Sequence, residues 1–208
     1  MRLFRLCLIL TLVVFVVGVL GTQTASAQRF AWTLNGSKTP ETTTGATDLL
    51  KVNYFSNANT AGAPDGTVRI SNPGSYAGNL CAQIYVFDPY QEMSECCACL
   101  VTPDGLRTLS VNGDITANPL TGVTLHTGTV SIVSGIVPSN GVCSPLENYV
   151  YPTLRAWGTH IQNATFAITE TEYSDRALGS YNDNLLIDCY AIALDGSGHG
   201  TCSCGSGD

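Results

Sequence analysis

Apolar and polar residues alternate along most of this chain in short runs, each closed by glycine, proline or asparagine. LLKVNYF (49–55) is the first clear run, and the turn-rich SNANTAGAPDG follows it. TVRIS (67–71) places Val68 and Ile70 on one face and ends at Asn72-Pro73-Gly74. CAQIYVFD (81–88) is apolar on both faces, with Ile84 and Val86 opposed to Tyr85 and Phe87, which predicts a central strand. CCACLV, the turn Pro103-Asp104-Gly105 and LRTLSV (106–111) read as a β-hairpin. GVTLHTGTVSIVS (122–134) changes phase, because Val123 and Leu125 are odd-numbered while Val130 and Ile132 are even-numbered. Gly128 lies between the two sets, and a bulge is expected there. TLRAWGTHIQ (153–162) and ATFAITETEY (164–173) complete the set of strands.

The period then changes. Leu178, Tyr181, Leu185, Cys189 and Ile192 recur at spacings of three and four, with Ser180 and Asp183 as a start signal and Gly196 and Gly198 as a stop. One helix is predicted over about 176–194. Many short strands separated by turns, followed by one helix, define the expected fold class: mainly β, an antiparallel β-sandwich-like domain with one C-terminal helix, disulfide-stabilised. A single domain over 48–208 is expected, preceded by a flexible Thr/Gly/Asn-rich lead-in at 28–47. Within that lead-in QRFAWTL (28–34) alternates, with Phe30, Trp32 and Leu34 on one face.

The first 27 residues follow a different logic. Arg2 and Arg5 precede a nearly unbroken apolar run from Leu6 to Leu20, and Ala25-Ser26-Ala27 is a small-residue box. That order predicts a secretory signal peptide cleaved after Ala27. The apolar run is short for a membrane span, which needs about 20 residues.

Export changes the meaning of the cysteines. Cleavage removes Cys7 and leaves Cys81, Cys96, Cys97, Cys99, Cys143, Cys189, Cys202 and Cys204. An even number of cysteines in an oxidising compartment predicts a disulfide framework, whose connectivity the spacing does not dictate. On an extended strand Cys97 and Cys99 share a face while Cys96 points the other way, so they should seek different partners. Cys189 is expected to bond Cys202 or Cys204, because the chain turns back after the helix. The mature chain keeps seven basic residues against sixteen acidic ones, a net charge of −9. Such a surface repels nucleic acid and anionic lipid, and no second long apolar stretch follows the signal.

The resemblance this chain carries lies in its middle and its end. LCAQIYVFDPYQEMSECCACLVTPDGLRTLSVNGDITANPLTG, with the closing GSGHGTCSCG, resembles an uncharacterised family of secreted, cysteine-rich bacterial proteins over about residues 67 to 204. The resemblance implies export and a shared fold. It implies no activity.

Candidate chemistry is sparse. Cys96 to Cys99 is a C-x-x-C and Cys202 to Cys204 a C-x-C, but zinc ribbons need two spaced C-x-x-C knuckles. Haem attachment needs histidine where Leu100 stands. A thioredoxin-like motif needs a helix N-terminus within an α/β pattern. His126, His160 and His199 show no two-histidine metal spacing, and His160 reads as a structural histidine near Trp157. GSYAG (74–78) is not a nucleophile elbow. Glu170 and Glu172 share a strand face, as paired catalytic carboxylates do, but a solvated strand face has the same pattern. Asp88, Glu92 and Glu95 cluster near Tyr90 as candidate calcium ligands, without EF-hand spacing. Asn35 and Asn163 begin glycosylation triplets.

The expected protein is a secreted module, extracellular or periplasmic, with a structural or binding role and no complete catalytic motif. Its expected partners are an extracellular protein or a glycan, with self-association as an alternative; no nucleic acid, membrane or cofactor is implied. Three alternatives remain: a filament subunit formed by strand exchange, a hydrolase using acidic residues, and a metal-binding or redox protein.

Overall fold

The computed structural model describes residues 48–205. The expected signal segment 1–27, the expected lead-in 28–47 with its alternating residues 28–34, and the triplet at Asn35 therefore lie outside the described residues.

Nine strands and one helix follow in order: β1 (Leu50–Ser56), β2 (Thr67–Ser71), β3 (Leu80–Phe87), β4 (Met93–Val101), β5 (Leu106–Ser110), β6 (Thr127–Ile136), β7 (Arg155–Gln162), β8 (Ala167–Glu172), β9 (Ser174–Arg176) and α1 (Tyr181–Asp195). A single π turn, Val111–Ile115, follows β5. The strands form two antiparallel sheets, ordered β4-β3-β6-β1-β9 and β5-β2-β7-β8. The expected class, mainly β with a C-terminal helix and disulfides, is the one observed.

Two apolar layers result. The even residues of β3 (Ala82, Ile84 and Val86) meet Ile70, Leu109, Ile132 and Ala156 between the sheets. The odd face of β3 carries Tyr85, which joins Leu49, Val133, Leu178, Leu185, Cys189 and Ile192 beneath the helix. β3 is therefore covered on both faces and paired on both edges, by β4 and β6. Its continuous apolar run is the consequence of that position.

Four expectations need correction. β4 and β5 do not form a hairpin: β4 pairs with β3, and β5 with β2 in the other sheet. The turn forms as expected, with Gly105 N–H donating to the Thr102 carbonyl at 2.9 Å and Asp104 at φ 56°. Asn72 then ties the corner, donating its amide to the Val101 carbonyl and its backbone N–H to the Gly105 carbonyl. β5 is displaced because the free edge of β4 takes the C-terminal tail instead, through a parallel bridge from Cys96 to Thr201.

Gly128 is not a bulge. It pairs with Phe55 of β1 in unbroken register, the ladder between β6 and β3 runs without a break as far as Thr129, and the strand starts only at Thr127. Glycine is required there because a Cβ would lie 2.2 Å from the Phe87 carbonyl oxygen and 2.7 Å from the Phe55 ring. The register break falls instead between Val86 and Phe87, opposite Ser94.

The helix starts at Tyr181 rather than near residue 176, because Ser174–Arg176 pairs with β1 as β9. Its buried stripe is Asn182, Leu185, Cys189 and Ile192, and Gly196 ends it at φ 68°. β8 begins at Ala167 because Asn163 and Phe166 hold a left-handed turn before it. Between β8 and β9 the buried Tyr173 marks the switch from one sheet to the other.

Cys189 bonds neither tail cysteine. The four disulfides are Cys81–Cys143, Cys96–Cys189, Cys97–Cys202 and Cys99–Cys204. The alternation argument holds: Cys96 faces the helix, while Cys97 and Cys99 face the inter-sheet core. The tail runs parallel to β4, so its C-x-C falls in step with Cys97 and Cys99. Same-face neighbours on both segments are spaced alike, roughly 6.6 Å apart. Cys189 must leave the tail and meet Cys96 because it lies on the helix stripe, on the other side of β4.

Candidate functional site

At one end of the sandwich lies an open cleft of about 380 Å³, walled by turns rather than strands. Asn59 comes from the turn after β1, at φ 52°. Asn112 comes from the π turn, Thr116 to Pro119 and Gly122 from the following loop, and His199 from the disulfide-held tail. Asparagine suits these places because its short amide tolerates left-handed backbone and bonds the neighbouring chain.

The wall is wired internally. Asn59 N–H donates to Asn112 Oδ1 at 2.8 Å, and Asn59 Nδ2 donates to Thr116 Oγ1 and to the Leu125 carbonyl, both at 3.0 Å. Asn118 is the hub. Its Nδ2 donates to the Gly198 carbonyl at 2.9 Å, its carbonyl accepts from Gly200 N–H at 2.7 Å, and its Oδ1 lies 2.7 Å from His199 Nδ1. An amide oxygen only accepts, so Nδ1 carries the proton and His199 Nε2 is left toward solvent. Among the described residues, Asn112 Nδ2, the Thr124 hydroxyl and His199 Nε2 make no hydrogen bond.

Asn118 also reaches into the core. Its backbone N–H donates to Glu95 Oε1 at 3.1 Å. Glu95 is fully buried, and its Oε2 has no partner. Burial pushes its carboxyl up to about 7, against the lowering effect of the Asn118 N–H.

The sequence candidates distribute as follows. Glu95 points inward, opposite Val86, whereas Asp88 Oδ1 is occupied by the N–H groups of Tyr90 and Glu92 in a local turn. The three acids Asp88, Glu92 and Glu95 are thus not brought together. Among the described residues no group of three or more His, Cys, Asp or Glu side chains is placed to hold a metal. Glu170 pairs with Arg69, and Glu172 lies 3.9 Å from Arg155, on the exposed face of β8. His160 is buried and stacks on Tyr54 with ring centroids 4.0 Å apart, while its Nε2 lies 2.6 Å from Thr171 Oγ1. Burial lowers its pKa, against a raising effect from the Tyr54 backbone. His126 Nδ1 faces the Ala58 carbonyl at 2.8 Å, and only His199 of the three histidines lines the cleft. Asn163 sits in the exposed turn before β8. All eight cysteines among the described residues are paired, so none of them is a free thiol or thiolate ligand.

The cleft residues Asn59, Asn112, Asn118 and Thr124 were not marked by any motif. Their only sequence signal is the density of asparagine in SNANTAG and NGDITANPLTG, which equally marks ordinary turns. Among the described residues no helix is long and apolar enough to cross a membrane. No protein-family model, characterised protein or solved structure matches this chain.

Proposed function

We propose that this protein is an exported, disulfide-stapled binding module that holds an uncharged, hydroxyl-rich ligand, a glycan of the extracellular or periplasmic space, in the Asn112/Thr124/His199 cleft. The observation that carries the reading is the chemistry of the lining. It offers amide, hydroxyl and imidazole groups with unspent hydrogen-bonding capacity and contains no carboxylate, lysine or arginine. Such a wall suits a neutral polar ligand, whose hydroxyls both donate and accept. The four disulfides support residence in an oxidising compartment. The acidic-hydrolase alternative draws no support from Glu170 and Glu172, each of which faces an arginine.

Titration calorimetry of the purified protein against a panel of neutral oligosaccharides tests this. Thr124→Ala and His199→Ala each remove one contact, worth about 1 kcal/mol, and should weaken binding roughly fivefold. Binding that survives both substitutions unchanged, or no binding to any member of the panel, overturns the reading.

A second reading, self-association by strand addition, has one observation in its favour. β8 is exposed along its whole length and pairs only with β7 among the described residues. Deleting residues 28–36 should convert oligomers on a sizing column to a folded monomer. A wild type that is monomeric at every concentration rules this reading out.

A further inference from the structure

Glu95 sits one residue behind the cleft. It lies on the inner face of β4, opposite Val86 and on the same face as Cys97. The core on that face is lined by Val86, Val111, Leu109 and Ile115. A carboxyl group here has one hydrogen bond, from the backbone N–H of Asn118, and an unpartnered second oxygen. Asn118 lines the cleft and grips the tail through Gly198, Gly200 and His199. The carboxyl therefore holds the point at which the cleft wall, the tail and β4 meet.

Among the described residues no ion pair compensates it. Asp114 spends both oxygens on the tail and on the end of β5, accepting from Ser203 Oγ at 2.6 Å and Ser110 N–H at 2.7 Å. His199 bonds the Asn118 side chain, whereas Glu95 accepts from the Asn118 backbone N–H, so the two meet only through that residue. Asp188 and Asp195 of α1 are exposed, and the helix packs against the opposite face of β4, where Cys96 meets Cys189. β3 presents apolar Ile84 and Val86 to the Glu95 face. Among the described residues no lysine, arginine or histidine forms a salt bridge with Glu95.

We propose that the Glu95 carboxyl is a proton-operated clasp on the cleft: neutral, it holds the Asn118 wall against β4; ionised, it releases that wall to admit water. A buried carboxylate with a single donor is costly, and lifting the Thr116–Gly122 segment that carries Asn118 would let water supply further donors. Proton loss is therefore coupled to opening. The effect on ligand binding rests on the cleft being a binding site; the clasp itself does not.

The size of the effect follows from linkage. If opening returns the carboxyl from about 7 to its ordinary 4.5, the closed-to-open ratio falls roughly tenfold between pH 6 and pH 8. The test uses the ligand-free, oxidised protein. Amide hydrogen exchange of Asn118 and its loop, corrected for the intrinsic pH dependence, should lose about tenfold in protection over that range. Glu95→Gln, which keeps an acceptor for Asn118 but has no proton to lose, should show no such change. Carbon NMR of the wild-type Glu95 carboxyl gives a readout that does not depend on any variant folding, and its midpoint should lie near 7. A midpoint in the ordinary carboxylate range, or equal pH dependence in wild type and Glu95→Gln, overturns the clasp. A clasp that passes in a protein that binds no glycan refutes the ligand reading alone.

Discussion

Three of the four disulfides share one region, and their contributions should not add as independent bonds. A disulfide closing a loop of n residues lowers the unfolded chain's entropy by roughly 2.1 + 1.5R ln n cal/mol/K. Cys97 and Cys202 are 105 residues apart, which taken alone amounts to about 4.8 kcal/mol at 25 °C. The same figure applies to Cys99–Cys204, also 105 residues apart, so two independent bonds would contribute roughly 9.5 kcal/mol. The structure changes the loop lengths. With Cys96–Cys189 closed, the shortest covalent path from Cys97 to Cys202 spans roughly 14 residues, reducing its term to about 3 kcal/mol. With Cys97–Cys202 also closed, Cys99–Cys204 closes a ring of roughly four residues and contributes about 2 kcal/mol. Replacing either tail pair by alanines should therefore cost about 2 kcal/mol, and replacing both about 5. Cys81–Cys143 is a control: the path through Cys96–Cys189 is roughly 61 residues, practically as long as its own loop of 62, so its removal should cost about 4 kcal/mol. Equilibrium guanidinium unfolding in non-reducing buffer measures all four species. Single tail-pair losses near 4.8 kcal/mol, or a double loss near 9.5, would refute the nested-loop reasoning.

Further outcomes are expected elsewhere. Gly128→Ala drives a Cβ into the Phe87 carbonyl and the Phe55 ring, so it should destabilise by about 1–3 kcal/mol, read as a lowered midpoint in the same assay. Burial holds the His160 pKa below its ordinary 6.5, so the unfolded chain takes up that proton first. Stability from His160 is therefore present above 6.5 and lost as pH falls below it; a Glu95→Gln background removes the opposing carboxyl term. An unfolding free energy in that background whose slope with pH below 6.5 is unchanged by His160→Gln would contradict the assignment.

The chain's local pattern determined much of this protein. Val68 and Ile70, or Ile84 and Val86, are inward-facing because strand geometry turns every second side chain the same way, and that requires no knowledge of the partner strand. The same parity separated Cys96 from Cys97 and Cys99, and the spacing of Leu185, Cys189 and Ile192 marked the helix face. Which segments pair was a different matter. The Pro103-Asp104-Gly105 turn forms whether or not its flanks bond each other, so the turn was legible while the separation of β4 from β5 was not. Cys189 met Cys96 rather than the nearby tail cysteines because the helix packs on the outer face of β4 and the tail runs along its edge. The cleft was illegible for the same reason. Asn59, Asn112, Asn118 and His199 are ordinary turn residues in sequence, and Glu95 is one acid among sixteen. Only packing buries one carboxyl beneath one asparagine, because burial and long-range contact depend on how distant segments stack, not on the order of residues within any one of them.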